Sequence, residues 1–333
     1  MRVNFPAGKL PPAFLSRMLK KFCVSDPAVL LGPSVGEDAA VLSVGGKMIA
    51  VAVDPVTFLS EESGLYAVAV NANDIATRGA RPRWFLCSAL FPETGANPKM
   101  IEKTFSEVER ACRLFGVSSI GGHTEITSAV SRPVLTGIML GEVLGPKALK
   151  TSGVRPGDEI ILTKSIALEA ASVIAREKKI EVNSKFGSRF TRECQNLIRN
   201  IGVVQEAMAA YQAGGVCAMH DPTEGGLSSA LYEMAEASHV QIAVEKEEIP
   251  ILEPVRRLLD FYGLNPLGAL SSGSLLIAAR PRASNKIINQ LSRLKIPASV
   301  VGQAFRGKGV VLKSGQRQET FPRFPRDEIA RFL

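Results

Sequence analysis

Long apolar runs are missing from this sequence. No stretch approaches the ~20 residues that a membrane-spanning helix needs, and the start, "MRVNFPAGKLPPAFL", lacks the unbroken apolar centre of a signal peptide. Cysteine pairs are missing too. Cys23, Cys87, Cys112, Cys194 and Cys217 are scattered and form no C-x-x-C, a spacing that suits neither a zinc site nor a disulfide framework. Both absences predict a soluble cytoplasmic protein with no membrane partner. Aromatic residues make up only 6% of the chain, too few to interleave with a basic surface for base stacking. No dense basic block exists either: residues 1–150 carry 16 Lys/Arg against 13 Asp/Glu, and the rest carry 24 against 19. A nucleic-acid partner is therefore not expected, whereas a net charge of +8 suits a small phosphorylated ligand. There is no P-loop and no Rossmann glycine fingerprint, so any nucleotide site must be built differently.

What is present is an alternation of strand-like and helical segments over 333 residues, a length that suggests about two domains. Residues 11–22 can form a short amphipathic helix. "DAAVLSV" and "KMIAVAVDPVTF" read as two strands joined at Gly45-Gly46. "RPRWFLCSALF" and "RPVLTGIMLGEVL" read as strands, and between them Asn97-Pro98 caps and opens a helix that Gly116 stops after Phe115. Turn chemistry in "TSGVRPGD" places the domain boundary near residue 151. Beyond it, "DEIILTKS" and "SLLIAARP" are strands. "IALEAASVIAREKK", residues 191–213, "DPTEGGLSSALYEMAEAS" and "NKIINQLSRL" carry helices. The tail "FPRFPRDEIARFL" has two prolines and a short amphipathic stretch suited to docking. The plain reading is α+β in two domains.

Four carboxylates beside apolar runs carry the chemistry. Asp38 enters a strand after "GPSVGE", Asp54 ends "MIAVAV", Asp74 sits on the helix of "VAVNANDIATRGARP", and Asp221 lies in "MHDPTEGGL". An ionised carboxylate in such a place is costly unless paired or bound to metal, and carboxylates converging from separate segments are what Mg²⁺ bridged to phosphate requires. Each has a plainer alternative. Asn71, Asp74 and Arg78 share one side of their helix and could simply be its wet face. Asp-Pro-x-Glu at 221–224 could be a helix cap. Gly225 and Gly226 would then sit inside the first turns at about 1 kcal/mol each; a loop bringing N–H groups to an anion explains them equally well. "SIGGHTEIT" (119–127) is either a tight turn or a ligand segment. "GPSVG" fits a nucleophile elbow, but a strand follows where a helix is required. His239, at the end of a helix, reads as a surface histidine.

In this order and spacing, "GEDAAVL", "AVDPVTF", "NANDIATRGARP" and "HDPTEGGL" resemble the AIR synthase superfamily, which includes selenophosphate synthetase, thiamine-monophosphate kinase and HypE. The resemblance covers nearly the whole chain. It implies a two-domain fold, with a β-rich dimerising N-terminal domain (residues 1–150) and a C-terminal α/β domain (residues 151–333). It further implies an ATP and Mg²⁺ site in which Asp38, Asp54, Asp74 and Asp221 bind metal. Asn71, Gly121, Gly122, His123, Thr124, Glu125, Thr223, Gly225 and Gly226 would line the nucleotide. A homodimer is implied as well.

Departures blur the substrate. HypE ends in Pro-Arg-x-Cys where this sequence reads "DEIARFL", and "LSSGSLL" stands in place of its Asn-Glu-Gly-Lys. HypE's cysteine dehydration is therefore not expected here, and Cys217 reads as a structural thiol. The reactive Cys of selenophosphate synthetase and the Gly-Glu-Thr-Ala-Glu-Met-Pro loop of AIR synthase are also absent. The expectation is a HypE-like enzyme using Mg–ATP to phosphorylate an oxygen of a small-molecule or protein-borne substrate, with no catalytic residue assigned. The alternatives are a small-molecule kinase resembling thiamine-monophosphate kinase and a non-catalytic nucleotide-binding maturation partner.

Overall fold

Gly45 and Gly46 both take positive φ (56° and 78°), the two-residue turn that matches strand twist, and they join Ala40–Val44 (β2) to Lys47–Val56 (β3) with Val44 opposite Lys47. This hairpin starts the first of two units in the computed structural model, which describes residues 8, 10–23, 26–57 and 61–331. The first unit comprises residues 26–32 and 38–148. It adds strands Val29–Leu31 (β1), Ala80–Pro92 (β4), Ser118–Thr127 (β5) and Val134–Val143 (β6), and helices Ser63–Thr77 (α2) and Pro98–Phe115 (α3), α1 belonging to the other unit. The sheet order is β1-β2-β3-β6-β4-β5, antiparallel except for the β4–β5 pair, whose crossover is α3. Phe58, which the sequence reading placed in β3, lies outside the described residues.

α3 begins and ends where local chemistry predicts. The Asn97 side chain accepts the Met100 N–H at 3.0 Å, and Gly116 closes the helix at φ 65°. α2 packs on the sheet through small residues of β6. A Cβ on Gly137 would collide with the Asn71 amide, and one on Gly141 with Ile75, so glycine there sets how closely helix and strand approach. β5 lies at the sheet edge, with every residue from Ser118 to Ile126 exposed.

The second unit comprises the described residues of 1–25 and 33–37 together with residues 149–331. It contains helix Pro12–Phe22 (α1) and strands Glu159–Thr163 (β7), Val216–His220 (β8), Val240–Glu245 (β9), Leu276–Ala279 (β10), Ala298–Arg306 (β11), Gly309–Ser314 (β12) and Arg317–Thr320 (β13). The order is β13-β12-β9-β11-β7-β10-β8, and β9–β12 is parallel. Ile160, Ile161 and Leu162 on β7 are all fully buried, so this strand is covered on both faces. Its helices are Leu168–Glu177 (α4), Lys179–Phe186 (α5), Ser188–Asn196 (α6), Val204–Ala213 (α7), Gly226–Ser238 (α8), Glu253–Phe261 (α9) and Pro281–Arg293 (α10).

The single helix expected over 191–213 is two helices, α6 and α7, joined through a 3-10 turn at Leu197–Asn200. The cause is remote. The Lys164 ammonium takes the carbonyls of Asn200 (2.9 Å) and Gly202 (2.7 Å) and pairs with Glu206 at 2.6 Å, which fixes the break. Burial lowers the Lys164 pKa, and Glu206 opposes that shift. The tail docks as expected: Phe321, Asp327 and Ile329 are buried, and Glu328–Arg331 forms a short 3-10 turn.

Candidate functional site

α2 is buried on nearly every side, and this decides what its polar stripe does. Asn71 and Arg78 are inaccessible and Asp74 is 5% exposed, so the wet-face alternative is wrong. Each group has a task inside the first unit. The Asn71 Oδ1 accepts the Asp54 N–H at 2.9 Å, while its Nδ2 donates to Ala67 O at 2.8 Å and to Asp54 O at 3.3 Å. Asn71 therefore anchors the end of β3 and orients the backbone that carries Asp54. Arg78 Nη2 donates to Asp38 Oδ2 at 3.0 Å, and its Nε donates to the Thr77 hydroxyl. That hydroxyl lies 2.7 Å from Asp74 O and 3.2 Å from Asp38 Oδ2. Asp38, Asp54 and Asp74 thus belong to one unit, and two of the three are held by α2 side chains.

Asn71→Leu should cost about 2–3 kcal/mol, because the part-buried Asp54 N–H and carbonyl lose their amide partner on the buried α2. Urea unfolding measures this, and a loss below about 0.5 kcal/mol would mean that the amide anchors nothing.

The 121–125 segment is neither a tight turn nor a loop. It is the middle of β5, paired in parallel with β4 so that Gly122 lies opposite Cys87 and His123 opposite Ser88. A Cβ on Gly122 would run into the Cys87 carbonyl, which accounts for glycine there. His123 and Glu125 share one side of the strand, 3.5 Å apart and largely exposed. Thr124 points the other way, as alternation along a strand requires.

In the second unit, β8 ends at His220 and Asp221 follows it, both buried. His220 Nε2 lies 2.7 Å from Glu233 Oε2 on α8. No sequence signal marked this pair: the two residues are 13 apart and on different elements. The helix starts at Gly226, with Gly225 as its N-cap and no side-chain cap, so Asp221 is not the helix cap. The idea that the glycine N–H groups reach an anion also fails. Gly225 N donates to Asp327 Oδ2 at 2.7 Å, and Gly226 N donates to Thr223 O at 3.0 Å. The backbone curls so that both donors are spent inside the unit. In the same loop Asp221 is buried and Thr223 is part-exposed.

Thiol chemistry is not favoured at the buried Cys112 and Cys194 or at the part-buried Cys87 and Cys217. Burial pushes Cys87 and Cys112 up to about 11 and Cys194 to about 12, and raises Cys217 as well, so these stay protonated at neutral pH.

Two mixed sheets with their helices, α2 with its inward polar stripe in one unit and α8 behind an Asp-Pro-Thr loop in the other, define a protein of two units of mixed helices and strands. Residues 36–143 match the AIR synthase related protein N-terminal domain, and residues 155–314 match its C-terminal domain. The chain belongs to the AIR synthase related family. A Methanocaldococcus jannaschii protein named for hydrogenase expression/formation is 28% identical over 84% of this chain and 82% of its own. Carbamoyl dehydratase HypE of Rhizobium leguminosarum is 28% identical over 76% and 72%. Thiamine-monophosphate kinase of Pyrococcus abyssi is 24% identical over 86% and 87%. Among solved structures, hydrogenase maturation protein HypE in complex with ATP superposes with a TM-score of 0.71 at 22% identity, covering 96% of this chain and 97% of that one, which shows a shared fold. Among the described residues, no helix is long and apolar enough to cross a membrane.

Proposed function

We propose that this protein binds Mg–ATP and uses it to phosphorylate an oxygen of a small-molecule or protein-borne substrate. The observation that carries the reading is the inward stripe of α2: a buried Asp74, with Arg78 and Asn71 ordering Asp38 and Asp54. The proposed donors are carboxylate oxygens on separate segments, the ligand chemistry that a hard divalent cation prefers. Asp38, Asp54 and Asp74 are the proposed metal ligands of the first unit, and Asp221 that of the second, with Thr223 beside it. Bound magnesium supplies charge neutralisation at the transferred phosphoryl group. The chain's own part is to hold its carboxylates in place before ligand arrives, which Asn71 and Arg78 do. The ATP complex of the structurally similar HypE supports the nucleotide. Gly121, Gly122, His123, Thr124 and Glu125 are proposed to contribute from the exposed β5 strand, and this unpaired edge is the proposed surface for pairing with a second copy.

Calorimetry with ATP should show binding that depends on Mg²⁺, and Asp74→Asn or Asp54→Asn should weaken it about 100-fold, as expected for loss of about 2.7 kcal/mol. Unchanged affinity in both variants would refute the reading. The kinase-like alternative is supported by the similarity to thiamine-monophosphate kinase across most of both chains. Screening metabolites for stimulated ADP release separates the two enzymatic readings by the acceptor found. A binding partner without turnover would release no ADP with any of them.

A further inference from the structure

The C-terminal segment 321–331 lies along α8 and the glycine loop, and its contacts are specific. The Tyr232 hydroxyl donates to Phe321 O at 2.7 Å, and the Ser228 hydroxyl to Pro322 O at 2.6 Å. Arg323 sits over the Tyr232 ring and pairs with Glu236. Phe324 packs on Gly268 so tightly that a Cβ there would enter its ring. At the end of this run, the buried Asp327 carboxylate gathers three backbone donors. Oδ2 takes Gly225 N at 2.7 Å, and Oδ1 takes Ile329 N at 3.0 Å and Leu270 N at 3.3 Å.

A carboxylate that joins three segments far apart in sequence is an unusual choice for packing alone. Burial lifts Asp327 to about 6, against the lowering effect of its three N–H donors and with Glu224 pushing the same way as burial. The sign matters: a raised pKa means that this group favours the fold when protonated, and the contribution is lost as pH rises through about 6. At neutral pH the ionised group stabilises the fold less than its protonated form does, and it sits where the tail meets the loop carrying Asp221 and Thr223. Gly225 N–H is the donor next to that loop's turn, and the Asp327 carboxylate receives it.

We infer that Asp327 is a positioning residue for the ligand loop: the tail acts as a strap whose carboxylate fixes Gly225, and through it the placement of Thr223 and Asp221. The inference rests on the Mg–ATP reading for its functional consequence, but the strap itself does not. Without the carboxylate, the Gly225 N–H loses its acceptor and the loop loses its tie to the tail, so the ligand groups would be held less firmly and bind less tightly.

The test uses the full chain with Asp327→Asn, and Tyr232→Phe as a control that loosens the strap away from the loop. Hydrogen exchange followed by mass spectrometry reads peptides covering 222–228, and calorimetry reads Mg–ATP. Asp327→Asn should exchange Gly225 at least ten times faster than wild type and weaken Mg–ATP about tenfold. Tyr232→Phe should lower the melting temperature without either effect. Equal loss of affinity in both variants would show a general stability role and overturn the proposal, as would unchanged exchange at 222–228 in Asp327→Asn. If Asp327→Asn does not fold, wild type decides: Gly225 protection matching the core of α8 supports the strap, and exchange at the rate of an open loop refutes it. If wild type binds no Mg–ATP, the functional reading falls, and the exchange arm alone judges the positioning role.

Discussion

Arg78→Met should lower the free energy of unfolding by about 3 kcal/mol, toward the lower end of the 3–5 kcal/mol seen when one partner of a buried ion pair is removed. The lower end applies because the Asp38 side chain is 12% exposed and water can reach it in part, whereas Arg78 is fully enclosed. Removing the guanidinium takes the charged donor 3.0 Å from the Asp38 carboxylate and a donor from Thr77. Methionine fills most of the volume, so the loss reports charge and hydrogen bonds more than a cavity. Arg78→Lys should recover only part of it, since one ammonium cannot serve both Asp38 and Thr77 in the planar geometry of the fork. Guanidinium unfolding of the three proteins provides the measurement. An Arg78→Met protein within about 1 kcal/mol of wild type would mean that the pair is not structural.

Gly226→Ala should cost about 2–5 kcal/mol, more than its backbone angle alone explains. An L-residue at φ +60° loses about 1–2 kcal/mol. The added Cβ would also lie 2.5 Å from Ala269 O, 2.9 Å from Ala269 N and 3.0 Å from Leu267 O. Those are backbone atoms of a packed segment, so relief requires moving the chain, and overpacking of that kind adds about 1–3 kcal/mol. Gly45→Ala is the matched control, with φ +56° and nothing within 4 Å of the added Cβ. Thermal unfolding should place Gly45→Ala near the angular cost and Gly226→Ala well beyond it. Equal losses would show that residues 267–269 yield freely, and that the glycine is there for its angle only. A Mg–ATP effect of Gly226→Ala would then have to be read against this lost stability rather than as contact with phosphate.

Local chemistry wrote several elements directly into the sequence. Asn97-Pro98 and Gly116 bound α3 because a cap, a first-turn proline and a left-handed stop act within a few residues of themselves. Gly45-Gly46 sets the β2–β3 hairpin for the same reason. The order of four acidic segments was enough to place the chain in its family. Elsewhere the local pattern was ambiguous. Residues 119–127 carry glycines, hydroxyls and charges that look like a turn, yet they form an edge strand, because β4 supplies the pairing and an edge tolerates polar residues on both faces. The break between α6 and α7 has no strong local signal, since Lys164, 36 residues away from Asn200, makes it.

By itself, the sequence determined the family, where several caps and turns fall, and that the chain mixes helices and strands in two domains. Only the tertiary structure decided which way those groups face. The α2 stripe reads equally as a wet surface or a buried site, because helical periodicity says which residues share a side and not what covers that side. Covering comes from partners far along the chain: Asp38 is 40 residues from Arg78, and Asp327 is 102 residues from Gly225. A backbone N–H looks available in any sequence. Whether it meets a ligand or a carboxylate of its own chain depends on which distant segment packing brings within 3 Å.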